Sequence, residues 1–89
     1  MRYLIPERLA WHVDESGDML RVFCLNLPDG QPRMLEGVAA LIWAAAVDGE
    51  DVVASVAQAT GEPRDRIEEQ VLAYLDSLVE EDLLERCRQ

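Results

Sequence analysis

The first third of the chain alternates in character. Leu9, Trp11 and Val13 take one side of an extended segment and Ala10, His12 and Asp14 take the other, the period-two pattern of a strand with one covered face. Ser16-Gly17-Asp18 then reads as a hairpin turn. Leu20 to Leu27 carries β-branched and aromatic residues and predicts a second strand. Pro28-Asp29-Gly30 is a strong turn, because proline presets one φ angle and glycine accepts a positive one. A short third strand over about Gln31 to Leu35 follows. Pro32 has no N–H to give to a ladder, so this strand is expected at a sheet edge.

From Glu36 onward the period changes to that of helices. Glu36 to about Asp48 is alanine-rich, with Val38, Leu41, Ile42 and Ala45 on one face. Trp43 lies among them, where burial is the simplest account. Gly49 stops this helix and Asp51 caps the next, whose inward residues are Val52, Val53, Val56 and Ala57. Gly61 closes it. Pro63 opens a third helix that runs to about Glu81 and places Ile67, Val71, Tyr74, Leu75 and Leu78 at helical spacing. Leu83-Leu84-Glu85 is expected to pack back on the domain. The order is therefore β-β-β-α-α-α. Turns this short force an antiparallel sheet. The expected fold is α+β, a three-stranded antiparallel sheet followed by three helices, winged-helix-like, as one domain over residues 1–89.

Charge narrows the function. Eighteen acids against eight bases leave a net charge of −10. A phosphate backbone demands the opposite sign, so nucleic acid is not an expected partner. An anionic membrane surface is disfavoured likewise. Such acidity either keeps a small protein soluble or steers a basic partner towards it. The longest apolar run, Val38 to Val47, is about half a membrane span. The opening Met1-Arg2-Tyr3-Leu4-Ile5-Pro6-Glu7 is unlike a signal peptide, and Cys24 and Cys87 form no C-x-x-C pair. Both thiols are expected reduced, and the protein cytoplasmic.

Catalytic chemistry finds little support. The single histidine, His12, alternates away from the apolar face and has no nucleophile beside it in sequence. Ser16 lies in a turn, and Ser55 and Ser77 lie in helices. One histidine and two scattered cysteines give no zinc spacing. Asp48-Gly49-Glu50-Asp51 lacks the spaced acids of a calcium loop. Glycines fall singly, so there is no phosphate cradle. The acids Glu68-Glu69 and Glu80-Glu81-Asp82 read as solvated helix faces. No enzyme activity, metal or cofactor is expected.

Two features suggest binding. The third strand, if its far side is free, offers unpaired backbone groups that can template an added peptide strand. The third helix has an apolar stripe wider than a one-sided core needs, spreading from Leu75 to Leu72 and Val79. Either these residues wall a groove beside the edge strand, or they cover the C-terminal tail.

The chain resembles the PqqD-like family of recognition elements for ribosomal peptide precursors. The resemblance rests on Trp11, Cys24-Leu25-Asn26-Leu27, Leu41-Ile42-Trp43, Asp51-Val52-Val53 through Ala57, Val71-Leu72-Ala73-Tyr74-Leu75-Asp76-Ser77-Leu78-Val79, and the Leu83-Leu84 close. It implies binding of a precursor's leader segment as an extra strand on the third strand, with leader side chains against the third helix. On that basis Gln31, Arg33, Met34 and Leu35 are the expected strand contacts. Glu68, Leu72, Leu75, Asp76 and Val79 are the expected helix wall. A stand-alone member of this size looks most like a lasso-peptide leader-binding protein, which serves a separate leader peptidase and a cyclase. A chaperone of quinone-cofactor biosynthesis is the nearest alternative. A DNA-binding winged helix is the more distant one. Arg64 and Arg66 give it some footing, against Glu68, Glu69 and Asp76 on the same helix.

Overall fold

The computed structural model describes residues 3–28 and 30–86. In chain order it contains β1 (Tyr3–Leu4), β2 (Leu9–Asp14), β3 (Arg21–Asn26), β4 (Arg33–Glu36), α1 (Val38–Val47), α2 (Val52–Thr60), α3 (Arg64–Glu80) and β5 (Glu85–Arg86). The strands β2, β3 and β4 form an antiparallel sheet in that order, followed by the three helices, so the expected α+β architecture is present. The register sets Val22 opposite Leu35, and Cys24 between Trp11 and Arg33. Leu9, Val22, Cys24 and Leu35 are buried on the inner face. Alternation then turns His12, Phe23 and Met34 to the outer face.

The helices start and stop for local reasons. The Asp51 carboxylate accepts a hydrogen bond from the Ala54 amide at 3.1 Å, an N-cap that the sequence announces. Gly61 ends α2 with φ of 74°, a left-handed conformation that glycine adopts without a Cβ penalty. Pro63 sits at the N-cap of α3. The loop into β4 turns tightly at Gly30, whose N–H donates to the Asn26 carbonyl at 2.7 Å. A Cβ on Gly30 would lie 2.4 Å from that oxygen, so the turn requires glycine.

Three expectations are corrected. The edge strand begins at Arg33, with Gln31 and Pro32 ahead of it, because proline has no N–H to enter the ladder. In α1 the buried residues are Ala40, Ile42, Trp43, Ala45 and Ala46, while Val38 is exposed and Leu41 is half-buried. A helix apolar on every side has no polar stripe to fix its rotation, and α1 meets β1, β4, α2 and α3 around its girth. The third correction is an added ribbon: β1 pairs antiparallel with β5, Tyr3 opposite Arg86 and Leu4 opposite Glu85. Two-residue strands are too short to show a period. The preceding Leu83 and Leu84 are both buried, as expected of a tail that packs back.

Candidate peptide-binding site

Among the described residues, no strand pairs with the outer side of β4. Its backbone groups on that side are therefore available to an added strand. Leu35 points into the core and is buried, so it holds the strand in place. Arg33 shares its face, and Met34 and Glu36 point outward. Glu36 meets Arg21 on the outer face at 3.1 Å.

The helix wall facing this edge is one flank of α3. Tyr74, half-buried, has its phenol pKa pushed up, first by burial and then by the Glu81 carboxylate; the Arg33 guanidinium opposes both. Tyr74, Glu81 and Arg33 thus share one neighbourhood below the edge strand. Arg33 and Glu81 form an ion pair that links β4 to the residue ending α3. Beside it, Asn26 Nδ2 donates to the Glu81 carbonyl at 3.4 Å. Among the three helices lies an apolar hollow of about 310 Å³, lined by Val38, Ile42, Val56, Ile67, Gln70 and Tyr74 among others; Val38, at the start of α1, follows the end of β4 by two residues.

The expected site residues divide. Arg33, Met34 and Leu35 lie on the edge strand, and Gln31 lies just before it. Leu75 is buried in the core. Leu72, Asp76 and Val79 lie on the flank of α3 turned away from β4, and Glu68 falls on that side of the helical wheel. The C-terminal segment borders that flank: Arg86 pairs with Asp76, and Val79 lines a hollow with Leu84, Arg86 and Leu4 that extends to Asn26, Leu27 and Gly30 ahead of β4. The structure does not bring these helix residues to the edge strand. It brings Glu81 and Tyr74 to Arg33 of the edge strand, and Ile67 and Gln70 share their flank of α3. The i, i+3, i+7 and i+14 spacing of Ile67, Gln70, Tyr74 and Glu81, one face of a helix, was visible in the sequence. Nothing in sequence said which flank the tail covers.

Elsewhere, His12 is exposed on the outer sheet face and stacks on Phe23 with ring centroids 6.4 Å apart. Cys24 is buried and its thiol pKa is pushed up by that burial, partly offset by Arg33. Cys87 lies outside the described residues, as does Asp29 of the expected turn. Among the described residues no group of three or more His, Cys, Asp or Glu side chains could hold a metal ion. No helix among them is long and apolar enough to cross a membrane. The outer sheet face carries a shallow apolar trough of about 360 Å³ between the row His12, Phe23, Met34 and the row Ala10, Leu25, Pro32.

The open-edged antiparallel sheet and its three helices define a small α+β module with a strand edge free for pairing. The family model described as Coenzyme PQQ synthesis protein D (PqqD) matches residues 21–84, and the chain belongs to that family. The match spans β3 to the buried Leu84, which includes the edge strand and all three helices. Family membership supports a role as a chaperone that binds a ribosomally made precursor peptide and works with partner enzymes. No curated protein and no solved structure matches the chain significantly.

Proposed function

We propose that this chain binds the leader segment of a ribosomally made precursor as a fourth strand on β4 and delivers it to separate processing enzymes. In this reading the protein has no chemistry of its own. The enzymes served are a leader peptidase and a cyclase, as in lasso-peptide biosynthesis. The observation that carries the reading is the unpaired side of β4, a strand tied to the end of α3 by the Arg33–Glu81 ion pair. Main-chain hydrogen bonds along Arg33 to Glu36 supply affinity, and the hollow beside Ile67, Gln70 and Tyr74 supplies side-chain selection.

Delivery needs a second surface, and the outer sheet face offers one. Phe23 is 41% exposed and Met34 is 50% exposed, and a peptide strand added to β4 would extend the same face. A processing enzyme docked there would touch carrier and leader together. The net charge of −10 favours an enzyme with a basic rim.

The test is titration of the leader encoded beside this gene, followed by amide shifts. Binding at micromolar affinity or tighter, about −8 kcal/mol, with the largest shifts over Arg33 to Glu36 is expected. Absence of binding, or shifts confined to another surface, would overturn the reading. The family description favours a second reading, a chaperone in quinone-cofactor synthesis. The neighbouring genes separate the two: a peptidase with a cyclase supports the first, and a quinone-cofactor operon supports the second.

A further inference from the structure

We infer that Arg33 is a specificity-determining residue of the strand-addition site, reading a carboxylate on the incoming peptide in exchange for its ion pair with Glu81. The inference rests on the peptide-binding reading above and adds a charge pattern to it. Arg33 lies on the helix-facing side of β4, opposite the buried Cys24, and reaches the residue that ends α3. Its ion pair therefore spans the lower end of the groove that an added strand would enter.

Both partners of that pair are partly exposed, 49% for Arg33 and 37% for Glu81. Exposed pairs of this kind add little to stability. Exchange of one carboxylate for another at Arg33 is therefore nearly free, provided the incoming one is well placed. A guanidinium is suited to that exchange, because its planar fork takes a carboxylate through two parallel hydrogen bonds. A peptide lying over the site would exclude water and strengthen the new pair.

The other paired arginines are committed elsewhere. Arg21 meets Glu36 on the outer sheet face. Arg64 meets Asp51 at the N-terminus of α2. Arg86 meets Asp76 on the far flank of α3. Arg66 lies at the opposite end of α3 from Glu81, and Arg8 precedes β2, the strand on the other edge of the sheet from β4. Among the described residues, Arg33 is thus the cation that the fold sets on the inner side of the edge strand.

Spacing completes the pattern. Alternate residues of an added strand face the helix. For a strand antiparallel to β4, the helix-facing positions pass in N-to-C order over the hollow by Val38 and Ile67, then the level of Leu35, then Arg33. The recognised sequence is apolar, any, apolar, any, acidic. The protein's overall charge of −10 would by itself select basic peptides, so an acidic preference at one fixed position separates local recognition from the general field.

The experiment pans a display library of random peptides, each roughly ten residues and so longer than a typical strand, on the full chain. Wild type, Arg33→Gln and the double variant Arg33→Glu/Glu81→Arg are compared, with circular dichroism confirming each fold. Wild type is expected to enrich Asp or Glu at one position, two residues after an apolar one. Arg33→Gln should keep the apolar positions and lose the acidic one. The charge-swapped pair tests the same exchange independently, because the carboxylate it places on the edge strand should select Lys or Arg at that peptide position. Converting the selected acid to its amide should weaken binding roughly tenfold, about 1.4 kcal/mol, on wild type and leave Arg33→Gln unaffected. Apolar enrichment without an acidic position, or an acidic preference that survives Arg33→Gln, overturns the inference while leaving the peptide-binding reading intact. Enrichment of no peptide overturns both.

Discussion

Trp43 shows what one side chain does here. It is 1% exposed, its indole N–H donates to the Leu83 carbonyl at 2.9 Å, and Trp11 packs on it with ring centroids 5.5 Å apart. Trp43 therefore ties α1 to the tail and supports the sheet from below. Trp43→Ala is expected to cost about 3–5 kcal/mol in urea melts. Trp43→Phe keeps most of the packing but leaves a buried carbonyl unpaired, about 1–3 kcal/mol. An unchanged midpoint for both would show that the ring is not part of the core. The burial of Trp43 was legible from its apolar neighbours. Its hydrogen bond was not, because the partner lies forty residues away. Asp51 gives a pH signature at the same scale. Its carboxyl pKa lies below the ordinary aspartate value of 3.8, first because of Arg64 and then because of the Ala54 amide. The folded state thus prefers the carboxylate. The cap's contribution is present above pH 3.8 and is lost as pH falls through the lower folded value. Asp51→Ala should lower the melting temperature at neutral pH, and its gap from wild type should close in acid. A gap of constant size would assign the effect to helix propensity instead.

At the scale of elements, the strands and helices were legible wherever a period ran long enough. The alternation in β2 and β3 and the apolar stripe of α3 each match their observed elements closely. Legibility failed where no period exists: for the buried face of α1, apolar all round although its extent was legible, and for the two-residue strands β1 and β5. The width of the α3 stripe was readable, but its division was not. The tail meets Asp76 and Val79 on one flank, and Arg33 of the edge strand meets Glu81 and Tyr74 on the other. Two variants discriminate the flanks. Gln70→Asp puts a charge on an exposed position at the rim of the apolar hollow, where a docked peptide would bury it unpaired at a cost. Leader affinity should fall by at least roughly tenfold, about 1.4 kcal/mol. Leu72→Asp alters a residue that is 42% exposed on the other flank, and affinity should hold within about twofold, under the 1.4 kcal/mol of a decade. Calorimetry on both proteins checks this, and the reverse ranking would return the groove to the Leu72 side.

At the scale of the molecule, the layers fit the two tasks of the proposed function. The helices cover one sheet face and leave the other open, so β4 can hold a peptide at its edge while the outer face remains available to an enzyme. On that face His12, Phe23 and Met34 form one cross-strand row, with the Arg21–Glu36 pair bordering it. The apolar exposure of the row is not required by the core, whose buried residues are on the inner face. The double variant Phe23→Ser/Met34→Ser should therefore leave the fold and leader affinity close to wild type, since neither side chain faces α3. If the chain delivers its leader as proposed, the variant should slow leader removal by a partner peptidase at saturating leader, because that enzyme would lose its apolar anchor while its substrate stays loaded. Raising salt should slow capture of the enzyme as well, since the molecule's negative field is screened. The salt effect should persist in the double variant, which changes no charge. The measurement is the cleavage rate against enzyme concentration at two ionic strengths, with leader binding followed in parallel. Wild-type cleavage by the double variant would remove the outer face from the delivery step, and a loss of leader binding would place Phe23 and Met34 in the peptide site itself.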